Sequence, residues 1–274
     1  MAKIGLVISD IDGTILDKNH QLDSRLKENL AILAQQGIPF CLASARSPQG
    51  IRPIQEALGL DAPLVAYNGA LIGQWQEGEF RVLQDIPIVA ADVVALIALM
   101  EQSFPAVSIG LYAGKDWYVA QRNQWVELEA SITGEDPLVT DFEAFLAQKP
   151  VVHKFLLIGE EADITQLLAF LQEQDFPETS FYLSKANYLE ITHRSVSKGH
   201  ALALLAEMQG LPIRETLAFG DHFNDLSMLE AAGVGVAMGN APQAVREAAD
   251  AVTADNHHNG VSLYLEHIIS EKGW

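Results

Sequence analysis

Short apolar runs recur along the chain, and several of them end in acids, hydroxyls and glycines. The first is Ile4-Gly5-Leu6-Val7-Ile8, followed by Ser9-Asp10-Ile11-Asp12-Gly13-Thr14. An apolar run without polar alternation reads as a strand buried on both faces, as in a parallel sheet. Gly13 and Thr14 mark the turn after it. The strand thus delivers two carboxylates to its carboxyl end, where open α/β sheets form ligand crevices. A helix is expected from a cap at Asp23 or Ser24 to about Gln36, with Leu26, Leu30 and Leu33 on one face and Gly37 ending it. Ile38 to Ala43 is the second expected strand. It stops at Ser44-Ala45-Arg46, and a helix opens at Ser47-Pro48. Leu64 to Tyr67 is a third strand, ending in the tight turn Asn68-Gly69-Ala70 that faces the same crevice.

From about residue 72 the pattern changes. Phe80 to Ile86 reads as a strand and Ala90 to Gln102 as a strong helix. Ala106–Leu111 and Asp116–Ala120 read as a hairpin around Ala113-Gly114-Lys115. Helices are expected at Asn123–Ser131, Phe142–Ala147 and Ala162–Gln174, and strands at Val151–Ile158, Phe181–Ser184 and Tyr188–Thr192. This order suits a separate α+β domain inserted into the first, over residues 84–187, with 1–83 and 188–274 forming the α/β core. Trp117, Tyr118, Trp125, Tyr182 and Tyr188 are expected to be packing residues.

The first pattern then returns. Ser197 is a candidate cap for a helix over His200–Gln209. Lys198 falls in its first turn, where a cation opposes the helix dipole unless an anion lies nearby. Leu217 to Gly220 is a short strand ending in Asp221-His222-Phe223-Asn224-Asp225, ahead of a helix over Leu226–Ala232. Asp225 can cap that helix, whereas Asp221 precedes the turn and needs another partner. Strands at Val234–Ala237 and Ala251–Thr253 and helices after Gly239-Asn240-Ala241-Pro242 and Asn259-Gly260 complete the chain.

Composition narrows the function. The chain has 274 residues, 17 Lys plus Arg against 36 Asp plus Glu, and a net charge of −19. So acidic a chain argues against nucleic acid and anionic membranes as partners, and any phosphate site must be local. The single cysteine, Cys41, sits in an apolar run and reads as a buried inert thiol. The opening segment MAKIGLVISD reads as neither a signal peptide nor a membrane span, and a cytoplasmic protein is expected. His257 and His258 have no metal-ligand partners at suitable spacing. Acids clustered at strand ends suit an oxygen-ligated dication such as Mg2+.

Several separated segments together carry a resemblance: DIDGT at 10–14, LASAR at 42–46, AYNGA at 66–70, SKG at 197–199, GDHFNDLSML at 220–229 and VAMGNAP at 236–242. In this order the chain resembles the haloacid dehalogenase (HAD) superfamily of aspartate-nucleophile phosphatases, most closely its Cof-type sugar-phosphatase branch. The resemblance implies a Rossmann-like α/β core with an inserted cap over 84–187. It implies Asp10 as nucleophile, Asp12 as general acid/base, Ser44 as phosphoryl-binding hydroxyl and Lys198 as the neutralising cation. It further implies Mg2+ held by Asp10, the Asp12 carbonyl and Asp221, supported by Asn224 and Asp225. Ala45, Arg46, Asn68 and Gly69 are weaker candidates for substrate contact, and Arg122 and Asn187 weaker still. Ala45 stands where the family often has glycine, and His222 where this branch commonly has asparagine. The implied reaction is hydrolysis of a small phosphorylated metabolite, a sugar phosphate first, by a monomer or weak homodimer. Phosphoryl transfer to another sugar, as in a phosphomutase, and a non-catalytic phosphometabolite-binding protein are the alternatives.

Overall fold

The computed structural model describes residues 3–23 and 25–274. The expected cap residue Ser24 lies outside them. In chain order the strands are β1 (Leu6–Ser9), β2 (Phe40–Leu42), β3 (Leu64–Ala66), β4 (Leu71–Gln76), β5 (Glu79–Asp85), β6 (Ser108–Ala113) and β7 (Asp116–Val119). They continue with β8 (Leu138–Val139), β9 (Val152–Ile158), β10 (Thr179–Lys185), β11 (Tyr188–His193), β12 (Thr216–Gly220), β13 (Val234–Ala237) and β14 (Ala251–Val252).

Five strands form a parallel sheet in the order β14-β13-β12-β1-β2. A single parallel bridge from Ala43 to Val65 extends it towards β3. The sheet is buried on both faces. Val7, Phe40, Leu42 and Phe219 belong to one core cluster. Leu6, Ile8, Cys41, Ala43 and Ala218 belong to the other, against the helix Lys198–Met208. Alternate residues of one strand thus enter opposite cores, which is why the strand sequences are apolar throughout. Because β1, β2 and β12 are parallel, Asp10, Ser44 and Asp221 all emerge at one edge of the sheet.

Strands β3, β4 and β5 form a small antiparallel sheet leading out of this core. β4 has no counterpart in the sequence reading, because Gln74 and Gln76 break its apolar pattern. A second large sheet has the order β10-β11-β9-β6-β7-β8 and its own core, including Leu96, Leu111, Phe155, Leu167 and Ile191. One correction concerns Tyr188–His193, which the sequence reading assigns to the returning α/β core. The strand pairs with both β10 and β9, because Leu189 and Ile191 are buried in the second core. Among the described residues, no helix is long and apolar enough to cross a membrane.

Candidate active site

Asp10 follows β1 directly, and its backbone N–H continues the ladder to the Phe219 carbonyl at 2.9 Å. Its side chain meets Lys198, the first residue of the helix Lys198–Met208. Ser197 caps that helix, accepting the His200 N–H at 3.1 Å. Lys198 is fully buried, which is tolerable only because two carboxylates flank it. It donates to Asp10 Oδ1 and, at 2.6 Å, to Asp225 Oδ1. The other oxygen of Asp225 accepts the backbone N–H groups of Asp221 (2.9 Å) and His222 (3.0 Å). Asp225 thereby fixes the loop that carries Asp221. Asp221 in turn accepts hydrogen bonds from Thr14 (3.2 Å) and from the Asn240 amide (3.2 Å), which also donates to the Gly13 carbonyl at 2.9 Å. Gly13 has φ of 87°, and a Cβ there would lie 2.4 Å from Asp221 Oδ2. Both the turn and the approach of Asp221 therefore need glycine.

Carboxylate oxygens of Asp10, Asp221 and Asp225 all lie within 4.8 Å of one another. Three carboxylates against one ammonium leave two negative charges in a largely buried place. Titration reflects this. Burial pushes the Asp10 carboxyl up to about 8; Lys198 pulls it down, and the charges of Asp225 and Asp221 add to the rise. Burial and the charge of Asp225 lift Asp221 to about 6. Burial pulls Lys198 down, yet the two carboxylates outweigh it and hold the ammonium protonated well above its ordinary value. An oxygen-only donor set with two uncompensated charges fits a hard divalent cation.

The other side of the crevice is built on the loop after β2. Arg46 grips the half-exposed Asp12 with two hydrogen bonds, from Nε at 2.8 Å and Nη2 at 2.6 Å, in the fork geometry that guanidinium offers a carboxylate. Ser44 is 2% exposed and its hydroxyl accepts the Arg46 N–H at 3.2 Å. Lys154 reaches across from β9 and donates to the Ala45 carbonyl at 3.0 Å. A cavity of about 620 Å3 opens beside these groups, lined by Lys198, Ala45 and Asn68 and by Tyr182 and Glu190 of the second sheet.

Residues 7–265 match the sequence model of the haloacid dehalogenase-like hydrolases. The chain belongs to that family. A Haemophilus influenzae protein is 37% identical over 261 residues, 95% of this chain and 96% of its own. An HMP-PP phosphatase of Escherichia coli is 30% identical over 264 residues, 96% of this chain and 94% of its own. The solved structure of the sugar phosphatase BT4131 shares the fold with a TM-score of 0.78 at 25% identity, covering 97% of this chain and 99% of that one. The protein is a HAD-family phosphatase.

In this phosphatase the structure brings Asp10, Lys198, Asp221 and Asp225 into one cluster, with Asp12, Ser44 and Arg46 beside it. The Asn224 amide donates to Asn68 Oδ1 at 3.1 Å. Gly69, with φ of 114°, packs so closely on the Ser197 carbonyl that a Cβ would lie 2.5 Å from it. Its role in the structure is packing between two loops of the crevice. Arg122 is turned to Glu127 and Asp136 at 2.7 Å each, on the surface. Asn187 accepts the Gly159 N–H through its backbone carbonyl. The His222 ring stands edge-on to Phe223, and both line the cavity. Cys41 is fully buried and burial pushes its thiol up to about 12, which makes it inert. Sequence reasoning missed Asn240, Lys154 and Glu190, and took Tyr182 for packing. Asn240 lies in the quoted VAMGNAP segment, and the buried charges of β9 and β11 interrupt otherwise apolar strands, which is the signal that marks them.

Proposed function

We propose that this enzyme is a magnesium-dependent phosphatase that hydrolyses a small phosphorylated metabolite, a sugar phosphate, through a phosphoenzyme at Asp10. The observation that carries the proposal is the buried cluster of three carboxylates around Lys198, open to the crevice beside Ser44 and Arg46. Asp10 and Asp221 are the residues that would hold Mg2+ with their side chains, together with the Asp12 carbonyl; Asp225 has both oxygens occupied and acts from behind. When bound, the ion supplies charge neutralisation for the phosphoryl oxygens and for the carboxylate cluster.

The chain's own groups account for the chemistry. An Asp10 carboxylate oxygen attacks phosphorus, and the P–O bond to the leaving alcohol breaks. Asp12, displaced from Arg46 and carrying the proton it took from water in the previous turnover, gives that alkoxide its proton. Lys198 counters the rise that burial imposes on the nucleophile's carboxyl and orients it, as phosphoryl transfer demands positioning and charge neutralisation above all. The Ser44 hydroxyl and the Lys198 ammonium receive the phosphoryl oxygens. A phosphate entering beside Ser44 competes for the Arg46 guanidinium and so releases Asp12 for proton transfer. Asp12, now a carboxylate, takes a proton from water, which attacks phosphorus and frees Asp10. We read residues 84–193 as the cap that excludes bulk water and selects the substrate. HMP-PP and sugar phosphatases among the relatives support a small metabolite as substrate.

The test is hydrolysis of p-nitrophenyl phosphate with and without Mg2+. Turnover is expected to require the ion, and Asp10→Asn is expected to lower kcat at least about a thousandfold. An Asp10→Asn enzyme that keeps wild-type turnover would refute the assignment.

A further inference from the structure

We propose that Tyr67 is a positioning residue, which ties the loop carrying Ser44 and Arg46 to the seat of the second sheet. This rests on the phosphatase reading above and names how that loop is held in working geometry. Tyr67 and Asn68 follow β3 with φ of 52° and 57°. Left-handed backbone is rare for a bulky aromatic residue, and such outliers persist only where the surroundings hold them. Here the hold comes from both units. On the backbone side, the Tyr67 N–H donates to the Arg46 carbonyl at 3.1 Å and the Asn68 N–H to the Ser44 carbonyl at 2.8 Å. The carbonyl between them, that of Ala45, accepts from the Lys154 ammonium at 3.0 Å. Three successive carbonyls of the loop are therefore held, two by the turn at Tyr67 and one by the second sheet. On the side-chain side, Tyr67 is fully buried. Its ring centre lies 5.3 Å from that of Tyr112 and 6.1 Å from that of His153, stacked on the latter. Its hydroxyl donates to the Gly114 carbonyl at 2.9 Å, in the turn between β6 and β7, and the Gly114 N–H donates to His153 Nδ1 at 3.1 Å.

One residue thus has its backbone against the α/β core and its side chain in the second sheet. A left-handed tyrosine released from that sheet relaxes towards ordinary backbone, and its N–H then leaves the Arg46 carbonyl. Lys154 depends on the same ring, since its ammonium lies over the faces of Tyr67 and Tyr112 while it bonds Ala45. Loss of the ring therefore loosens the loop at Ala45 as well as at Arg46. Misplacing Ser44 and Arg46 by a fraction of an ångström is enough to slow a reaction that depends on positioning. Seating of the second sheet and the geometry of the loop are in this way one event.

The experiment is a double-mutant cycle on the full-length enzyme, reading kcat/KM for p-nitrophenyl phosphate with Mg2+. Tyr67→Asn withdraws the ring but supplies a side chain that tolerates left-handed backbone. It is expected to lower kcat/KM about 10- to 100-fold when Ser44 is present, and to cost at least about threefold less in a Ser44→Ala background. Leu96→Ala, which opens a cavity in the second core, is expected to cost the same in both backgrounds. Tyr67→Phe loses only the bond to Gly114. It is expected to cost about 3- to 10-fold with Ser44 present and nothing with Ser44→Ala, and decides the matter by the same criterion if Tyr67→Asn does not fold. A Tyr67 cost that differs by less than about threefold between the backgrounds, or an equal difference for Leu96→Ala, would overturn the proposal. A wild-type enzyme that leaves p-nitrophenyl phosphate intact would instead overturn the phosphatase reading, and this one with it.

Discussion

At the scale of single residues, the site is a problem of charge. Asp10, Asp221 and Asp225 crowd round one ammonium, and burial lifts Asp10 from an ordinary 3.8 to about 8. The sign of the pH dependence follows. The folded metal-free protein holds the Asp10 proton more tightly than the unfolded chain does. The stability contributed by this group is therefore complete below about pH 4 and is lost as pH rises through about 8. Asp221, raised to about 6, acts in the same direction over a lower window. A dication binds the ionised carboxylates, so it recovers most where the unrelieved repulsion is greatest. Thermal unfolding should show a Mg2+-induced rise in Tm that is larger at about pH 9 than at about pH 6. A rise that shrinks with pH would contradict this reading of the cluster.

At the scale of elements, parallel strands bring the chemistry to one sheet edge and helix caps fix it there. Ser197 caps the helix whose first residue is Lys198, and loss of such a cap costs about 1 kcal/mol. Asn123 caps the helix Gln124–Thr133, accepting the Trp125 and Val126 N–H groups at 3.0 Å each, far along the chain from the carboxylates. Ser197→Ala and Asn123→Ala should therefore lower Tm to a similar extent, while Ser197→Ala alone lowers kcat, by about 3- to 10-fold. Equal kcat in the two variants would show that the cap does not position Lys198. Much of this level was legible in the sequence. Unbroken apolar strands, Ser47-Pro48 at one helix start and Lys198 against a helix dipole each carry a local physical signature. β4 was not legible, because its glutamines obey pairing with β3 and β5 rather than any amphipathic period. The placement of β11 was equally hidden: partners of a strand are a non-local choice, settled here by the burial of Leu189 and Ile191. The Arg46–Asp12 and Lys154–Ala45 contacts join residues 34 and 109 positions apart, and no local pattern encodes them.

At the scale of the whole molecule, a strongly acidic protein surrounds a site built for an anion. The net charge of −19 repels a phosphorylated substrate at long range, and salt screens that repulsion beyond about 10 Å. With Mg2+ held constant, kcat/KM for a dianionic phosphate ester should rise as ionic strength increases from about 10 mM to about 150 mM. A fall would point to a local attractive field that dominates the approach. Lys154 links the two sheets directly, bonding the Ala45 carbonyl and lying over the rings of Tyr67 at 5.5 Å and Tyr112 at 4.7 Å. The two units therefore meet at the loop that bears Ser44 and Arg46, and substrate entering there feels both. The most direct test of the whole account is acid-quench trapping of the enzyme during turnover of a 32P-labelled ester, with and without Mg2+, followed by peptide mapping. The account predicts Mg2+-dependent label on Asp10, accumulating further in Asp12→Ala, where the base for the second step is gone. Inorganic phosphate released with no labelled enzyme at any time, or label on a residue other than Asp10, would contradict it.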